Sequence, residues 1–245
     1  MSERSRPSVF WVLASLILPV MAVGTRYTIT GGSKLPAAGS CIIAPNHHSE
    51  IDPIIVGTVL WKLGREPRFL AKASLFRVPI VGWFLRRSGQ VPVERVPRER
   101  GKEPLKAAQR LVDNGQLVVI YPEGSLTRDP ELWPMRGKTG AVRMALEHGI
   151  PIIPIAHWGA QRVMARYSKK ISLFPRHPIR VMIGDPVDLS AFRGSNLDAA
   201  TLNAATVVVM ENITRLLEDL RGETAPAERW NPSQHSQNET GRIEP

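Results

Sequence analysis

The sequence predicts one α/β domain whose central sheet has largely parallel neighbours, and three observations carry that prediction. Between Leu105 and Ala156, amphipathic stretches at helical spacing alternate with the short apolar runs Leu117 to Tyr121 and Ile152 to Ala156. No stretch in the middle of the 245 residues has the composition of a linker, so one large domain is expected. With 43% hydrophobic residues and a mean hydropathy of −0.12, the makeup is that of a globular protein and not of a polytopic membrane protein.

Taken in order, residues 1–24 form an apolar, membrane-associating segment. Phe10 to Val23 is preceded by Arg4 and Arg6, broken by Pro19, and shorter than the ~20 residues that cross a bilayer. An interfacial helix with Phe10 and Trp11 at headgroup level is expected, with a plain core helix as the alternative. Gly24-Thr25-Arg26 makes a poor signal-peptide cleavage site. The domain proper is expected over 25–221. Tyr27 to Leu35 reads as a strand ending in a glycine turn, and Cys41 to Ala44 as a buried strand. Ile54 to Leu63 reads as a helix, so Pro45 to Pro53 lies on a strand-to-helix turn, a place where scaffolds display reactive groups.

Phe69 to Lys72 and Gln90 to Arg95 are further short strands, separated by the apolar, aromatic stretch Val78 to Leu85. Leu105, Ala108, Leu111 and Val112 mark a helix stopped by Asn114-Gly115. The strand to Tyr121 ends in the turn Pro122-Glu123-Gly124-Ser125, and a helix around Ala141 to Leu146 closes at Gly149. A basic band from Arg162 to Arg180 precedes a strand at Val181 to Ile183, and Leu202, Val209, Ile213, Leu216 and Leu220 line one face of a last helix. Residues 222–245 are polar and expected to be disordered.

A net charge of +10 and a pI near 10.3 favour anionic partners: nucleic acid, an acidic membrane surface or phosphorylated substrates. Aromatic residues make up only 6% and no recognition motif appears, which argues against nucleic acid. The lone Cys41 excludes a disulfide framework and a cysteine-rich zinc site.

Chemistry concentrates in two turns. In Asn46-His47-His48-Ser49-Glu50-Ile51-Asp52, a carboxylate five positions after a histidine can hold one imidazole nitrogen and leave the other free as a base. That is a Ser-His-Asp triad without its serine, suited to an enzyme whose nucleophile is a substrate hydroxyl. Asp52 before Pro53 is equally a plain helix N-cap, His48 competes with His47 as the base, and a His/His/Asp metal site lacks a supporting ligand cluster. The turn at Glu123 could offer backbone N–H groups to a phosphate or an oxyanion, with Ser125, Thr127 and Arg128 beside it. Gly137-Lys138-Thr139 lacks the upstream glycine of a P-loop, because Leu132 holds that place.

Asn46-His47-x-Ser49-x-x-Asp52, Val91-Pro92-Val93-Glu94-Arg95, Tyr121-Pro122-Glu123-Gly124-Ser125 and Ile150-Pro151-Ile152-Ile153-Pro154-Ile155-Ala156 resemble, in order and spacing, the four motif blocks of the glycerolipid acyltransferase family. The resemblance covers roughly residues 25 to 190. It implies a single-domain fold in which a mixed, twisted sheet is wrapped by helices. It implies that His47 is the general base oriented by Asp52, that Arg95 helps hold an acceptor phosphate, and that Glu123 and Gly124 belong to the acceptor-binding turn. Pro151 to Ala156 would support the acyl end of the site. Ser125 stands where the family commonly has threonine and Leu126 where it has arginine, so Arg128 becomes the candidate for the missing charge. The implied reaction acylates lysophosphatidate or a related glycerophosphate from acyl-CoA or acyl carrier protein, with no cofactor and no metal. It would proceed at the anionic surface of the cytoplasmic membrane, with the chain peripheral or monotopic on its cytoplasmic face. A non-catalytic, basic lipid-binding protein on the same fold is the alternative.

Overall fold

The computed structural model describes residues 3–5, 7–93 and 102–238, with residue 4 and residues 102–107 described by backbone alone. The elements follow in chain order: α1 (Val9–Gly24), β1 (Thr25–Thr30), β2 (Cys41–Pro45), α2 (Asp52–Lys62), β3 (Leu70–Lys72), α3 (Pro79–Arg87), β4 (Val91–Val93), α4 (Lys102–Asp113), β5 (Leu117–Val119), α5 (Gly140–His148), β6 (Ile152–Trp158), α6 (Ala160–Val163), β7 (His177–Ile183) and α7 (Ala199–Arg221). Five strands form one sheet in the order β1-β7-β6-β2-β5. Every pairing is parallel except β6 with β7, which makes the sheet mixed. Strands β3 and β4 pair in parallel as a second sheet, and a bridge between Phe69 and Val119 joins it to the β5 edge.

Strand periodicity explains the layers. Successive side chains of β2 point to opposite faces. Ile43 packs with Val119, Ile153 and Ile155 against Ile55, Val59 and Leu60 of α2 and Met21 of α1. Its neighbour Ile42 packs with Val118 and Ile152 against Val142 of α5 and Val209 and Ile213 of α7. Strands β2 and β5 are buried along their whole length because helices cover both faces, hence their unbroken apolar runs.

Two expectations change. Part of the polar tail packs on the domain: Arg136 N donates to Trp230 O (2.9 Å), Ala225 N donates to Glu218 Oε1 (2.8 Å), and Trp230 stacks on His235 at 3.6 Å. Composition missed this because a few backbone hydrogen bonds and one aromatic residue suffice to dock a polar segment. Residues 1–24 do not form a unit apart. Phe10 stacks on Trp61 at 6.4 Å, and Glu3 ties to the fully buried Arg65 (3.0 Å) and accepts from Glu66 N (2.8 Å). The core-helix reading holds for one face of α1. On its other face Val12, Leu16, Val20 and Val23 are exposed, and among the described residues no helix is long and apolar enough to cross a membrane.

Candidate active site

Strand β2 carries the chain to Pro45, and residues 46–51 turn it into α2. Asp52 lies inside the first helical turn, and its carboxylate reaches back: Oδ2 accepts from His48 N (2.7 Å), Ser49 N (2.8 Å) and the His47 ring at Nδ1 (3.0 Å). The plain N-cap reading is thereby corrected, because the amides it holds precede the helix. Burial alone would raise the Asp52 pKa, but His157, His48 and His47 around it hold it well below the usual carboxylate range. An ionised Asp52 accepts a proton donor at His47 Nδ1, which leaves the lone pair on Nε2.

Bonding separates the two neighbouring histidines. Asn46 is oriented by β6, with Oδ1 accepting from His157 N (2.9 Å) and Nδ2 donating to His157 O (3.1 Å). Its Nδ2 also donates to His48 Nδ1 (2.9 Å), so His48 carries its proton on Nε2 and donates it to Gln161 Oε1 (3.1 Å). Burial pushes the His48 pKa down to about 4, so the ring stays neutral with both nitrogens engaged. His47, by contrast, keeps 16% of its side chain exposed. Its ring stacks on Tyr121 at 4.0 Å.

The turn after β5 grips the His47 backbone from both sides. Glu123, fully buried, accepts from His47 N through Oε1 (2.8 Å) and from Met135 N through Oε2 (3.0 Å), while Thr127 N donates to His47 O (2.7 Å). Burial pushes the Glu123 pKa up to about 8 against the pull of those two N–H groups. Both oxygens face protein amides, so the side chain braces the histidine loop. Gly124 adopts φ 71°, and a Cβ there would lie 2.9 Å from Lys138 Cδ, so the turn requires glycine.

The remaining candidates divide. Ser125 is buried and its Oγ donates to Leu126 O (3.3 Å). Arg128 is buried, with Nη1 donating to Tyr167 Oη (2.6 Å), so its charge lies inside the fold. Arg95 lies outside the described residues. Arg166, in the basic band, donates from Nη1 to Thr127 O (2.6 Å) and Asp129 O (2.7 Å).

Sequence reasoning also missed His157, whose buried Nε2 donates to Asn46 O (3.1 Å) and stands 3.8 Å from Asp52 Oδ1. It sits just past the fourth motif block, but 111 residues separate it from Asn46. His48, Asp52 and His157 bring ligand atoms within 4.8 Å of one another. A cation there would have to displace Asn46 or Gln161 from His48.

An apolar cavity of about 310 Å³ is lined among others by Leu18, Pro53, Ile54, Phe69, Ile80 and Phe84. Pro53 and Ile54 directly follow Asp52. Phe69 stacks with Tyr121 at 6.5 Å, and Tyr121 with His47, so one ladder of rings leads from the cavity wall to the imidazole.

The family model described as Acyltransferase matches residues 26–158. A chloroplast 1-acyl-sn-glycerol-3-phosphate acyltransferase of Brassica napus is 31% identical over 181 residues, 71% of this chain and 50% of the relative. A 1-acyl-sn-glycerol-3-phosphate acyltransferase of Bacillus subtilis is 30% identical over 179 residues, 73% of this chain and 82% of the relative. The chain spans about half the length or less of the plant and algal relatives it matches. The crystal structure of the 1-acyl-sn-glycerophosphate (LPA) acyltransferase from Thermotoga maritima superposes with a TM-score of 0.62 at 22% identity, covering 86% of this chain and 82% of that one, so the fold is shared.

Proposed function

The chain belongs to the acyltransferase family, and from that premise we propose that it moves a fatty acyl group from an acyl-CoA or acyl carrier protein thioester to a hydroxyl of lysophosphatidate or a related glycerophosphate. The observation that carries the reading is the His47–Asp52 pair, in which a partly exposed imidazole has Nδ1 engaged and Nε2 as a base. Ser49 donates its hydroxyl proton to Met164 O, and Cys41 is buried in β2, so the nucleophile is left to the substrate.

In this mechanism His47 Nε2 takes the acceptor hydroxyl proton as the oxygen attacks the thioester carbonyl carbon. Asp52 stabilises the imidazolium that forms without itself taking the proton. The tetrahedral oxyanion collapses with cleavage of the C–S bond, and the departing sulfur takes the proton back from His47. The products are the ester and the free thiol, with no acyl-enzyme and no cofactor. A thioester is already activated, so most of the rate comes from holding two substrates in register. The cavity, lined by Pro53 and Ile54 directly after Asp52, suits an acyl chain because it is apolar.

The names of the relatives, which specify 1-acyl-sn-glycerol-3-phosphate acyltransferases, support the acceptor class. The cationic surface and the exposed apolar face of α1 support work at an anionic membrane, peripherally on the cytoplasmic side. Arg95 remains the proposed contact for the acceptor phosphate. Incubating the protein with acyl-CoA and a panel of lysophospholipid and glycerophosphate acceptors, with mass spectrometry of the products, tests the reading. Acylation restricted to phosphate-bearing lysolipids is expected, and thiol release with no acylated acceptor would refute it.

A further inference from the structure

Between α6 and β7 the chain crosses the surface as a firmly tied loop. Ser168 N donates to Ala165 O (2.9 Å), Ser172 N to Val163 O (2.7 Å), Ser172 Oγ to Phe174 O (3.1 Å), and Arg176 Nε to Thr25 O (2.9 Å). Leu173 turns inward onto the core and fits so closely at Gly24 that a Cβ there would come 2.4 Å from its Cδ2. Its neighbours are held outward: Ile171 is 59% exposed and Phe174 74%. Holding two large apolar side chains in water within a hydrogen-bonded loop brings the isolated molecule no burial energy. Lys169, Lys170 and Arg176 stand exposed on either side of them.

Apolar tips between cations match the interface of an anionic bilayer, where the tips enter the acyl boundary and the cations meet lipid phosphates. The loop also continues a face already suited to lipid. It abuts the end of α1, whose exposed stripe runs through Val12, Leu16, Val20 and Val23, and α3 exposes Ile80, which lines the apolar cavity, and Trp83. Just before the loop, Ser49 Oγ donates to Met164 O (2.5 Å) and Tyr167 N to Glu50 Oε2 (3.1 Å), so it is fastened to the His47–Asp52 turn itself.

We propose that residues 169–176 form a second bilayer contact, inserting Ile171 and Phe174 into an anionic membrane and so fixing the histidine turn at the lipid surface. This rests on the reading of the acceptor as a membrane lipid. Because Cys41 is buried, a Phe174→Cys chain can be labelled at that position alone with the environment-sensitive fluorophore NBD. With vesicles of phosphatidylcholine and phosphatidylglycerol, the emission is expected to shift to the blue and brighten severalfold. The double variant Ile171→Ser, Phe174→Ser should lower the vesicle partition coefficient roughly tenfold or more, with its unfolding midpoint and its turnover of detergent-dispersed acceptor unchanged.

An unchanged emission on vesicles that do bind the protein would overturn the proposal. So would undiminished partition of the double variant, or no vesicle binding by the parent chain. A blue shift that grows with protein concentration in the absence of vesicles would assign the loop to a second copy of the chain and likewise refute it. Absence of turnover in detergent would instead count against the catalytic reading and leave these vesicle measurements standing.

Discussion

At the scale of single residues, the site depends on which atoms of two adjacent histidines are already engaged. His48 has Asn46 on one nitrogen and Gln161 on the other, whereas His47 has Asp52 on Nδ1 and keeps a partly exposed edge. His48→Gln is therefore expected to keep turnover within about tenfold of wild type, a loss well below the ~10²–10⁴-fold contribution of a positioned base. Asp52→Asn should cost kcat within that same larger range, because an amide can present an N–H to His47 Nδ1 and favour the wrong tautomer. Steady-state kinetics on the two purified variants checks the pair of expectations, and equal losses would contradict the assignment. The sequence exposed His47 and Asp52 through their spacing but left His48 open. The deciding contacts come from Gln161 and from the β6 backbone at His157, more than a hundred positions away.

At the scale of elements, the two strand-end turns hold the proposed catalytic pair, and the turn after β5 supports it through Glu123. Glu123 was legible as a functional residue, but its carboxylate supports the His47 loop, a role that appears only once the two turns are brought together by pairing of β2 with β5. An acid whose pKa rises from 4.5 to about 8 on folding binds its proton more tightly in the native chain. Its contribution to stability is fully present below the unfolded value and is lost as pH rises through about 8. The unfolding midpoint of Glu123→Gln measured against wild type should therefore gain steadily from pH 5 to pH 8. A difference independent of pH would show that Glu123 is ionised throughout.

Helix α2 makes a second element-level prediction. At Gly57 a Cβ would meet Pro67 and Phe69 at ordinary contact distances of 3.5 and 3.6 Å, and the position lines the apolar cavity. Gly57→Leu should fill part of that space and shift kcat/KM toward shorter acyl donors, measured across a series of acyl-CoA chain lengths. An unaltered chain-length profile would place the acyl group elsewhere.

At the scale of the whole molecule, the α/β class and nearly every element were readable, because buried parallel strands and amphipathic helices leave strong patterns in sequence. The docking of Trp230 was not readable, since it rests on a backbone hydrogen bond that polar composition does not signal. Nor was the double nature of α1, which buries Phe10 and Met21 while exposing Leu16 and Val20. An all-apolar helix has the same periodicity whether its second face meets protein or lipid. Removing residues 1–24 would therefore strip core contacts as well as any membrane contact. Leu16→Ser with Val20→Ser is the cleaner test: vesicle binding should fall while the unfolding midpoint stays within a few degrees of wild type, because both side chains are exposed. Unchanged vesicle binding would remove α1 from the membrane face.

In the proposed reaction His47 deprotonates an acceptor hydroxyl for direct attack on a thioester. Its most direct test is thiol release and product mass, measured together for wild type and His47→Ala with acyl-CoA and lysophosphatidate. One thiol per molecule of phosphatidate is expected from the wild type, and a loss of about 10²-fold or more in a variant that keeps its circular dichroism and unfolding midpoint. Equal turnover by a folded His47→Ala chain would contradict it.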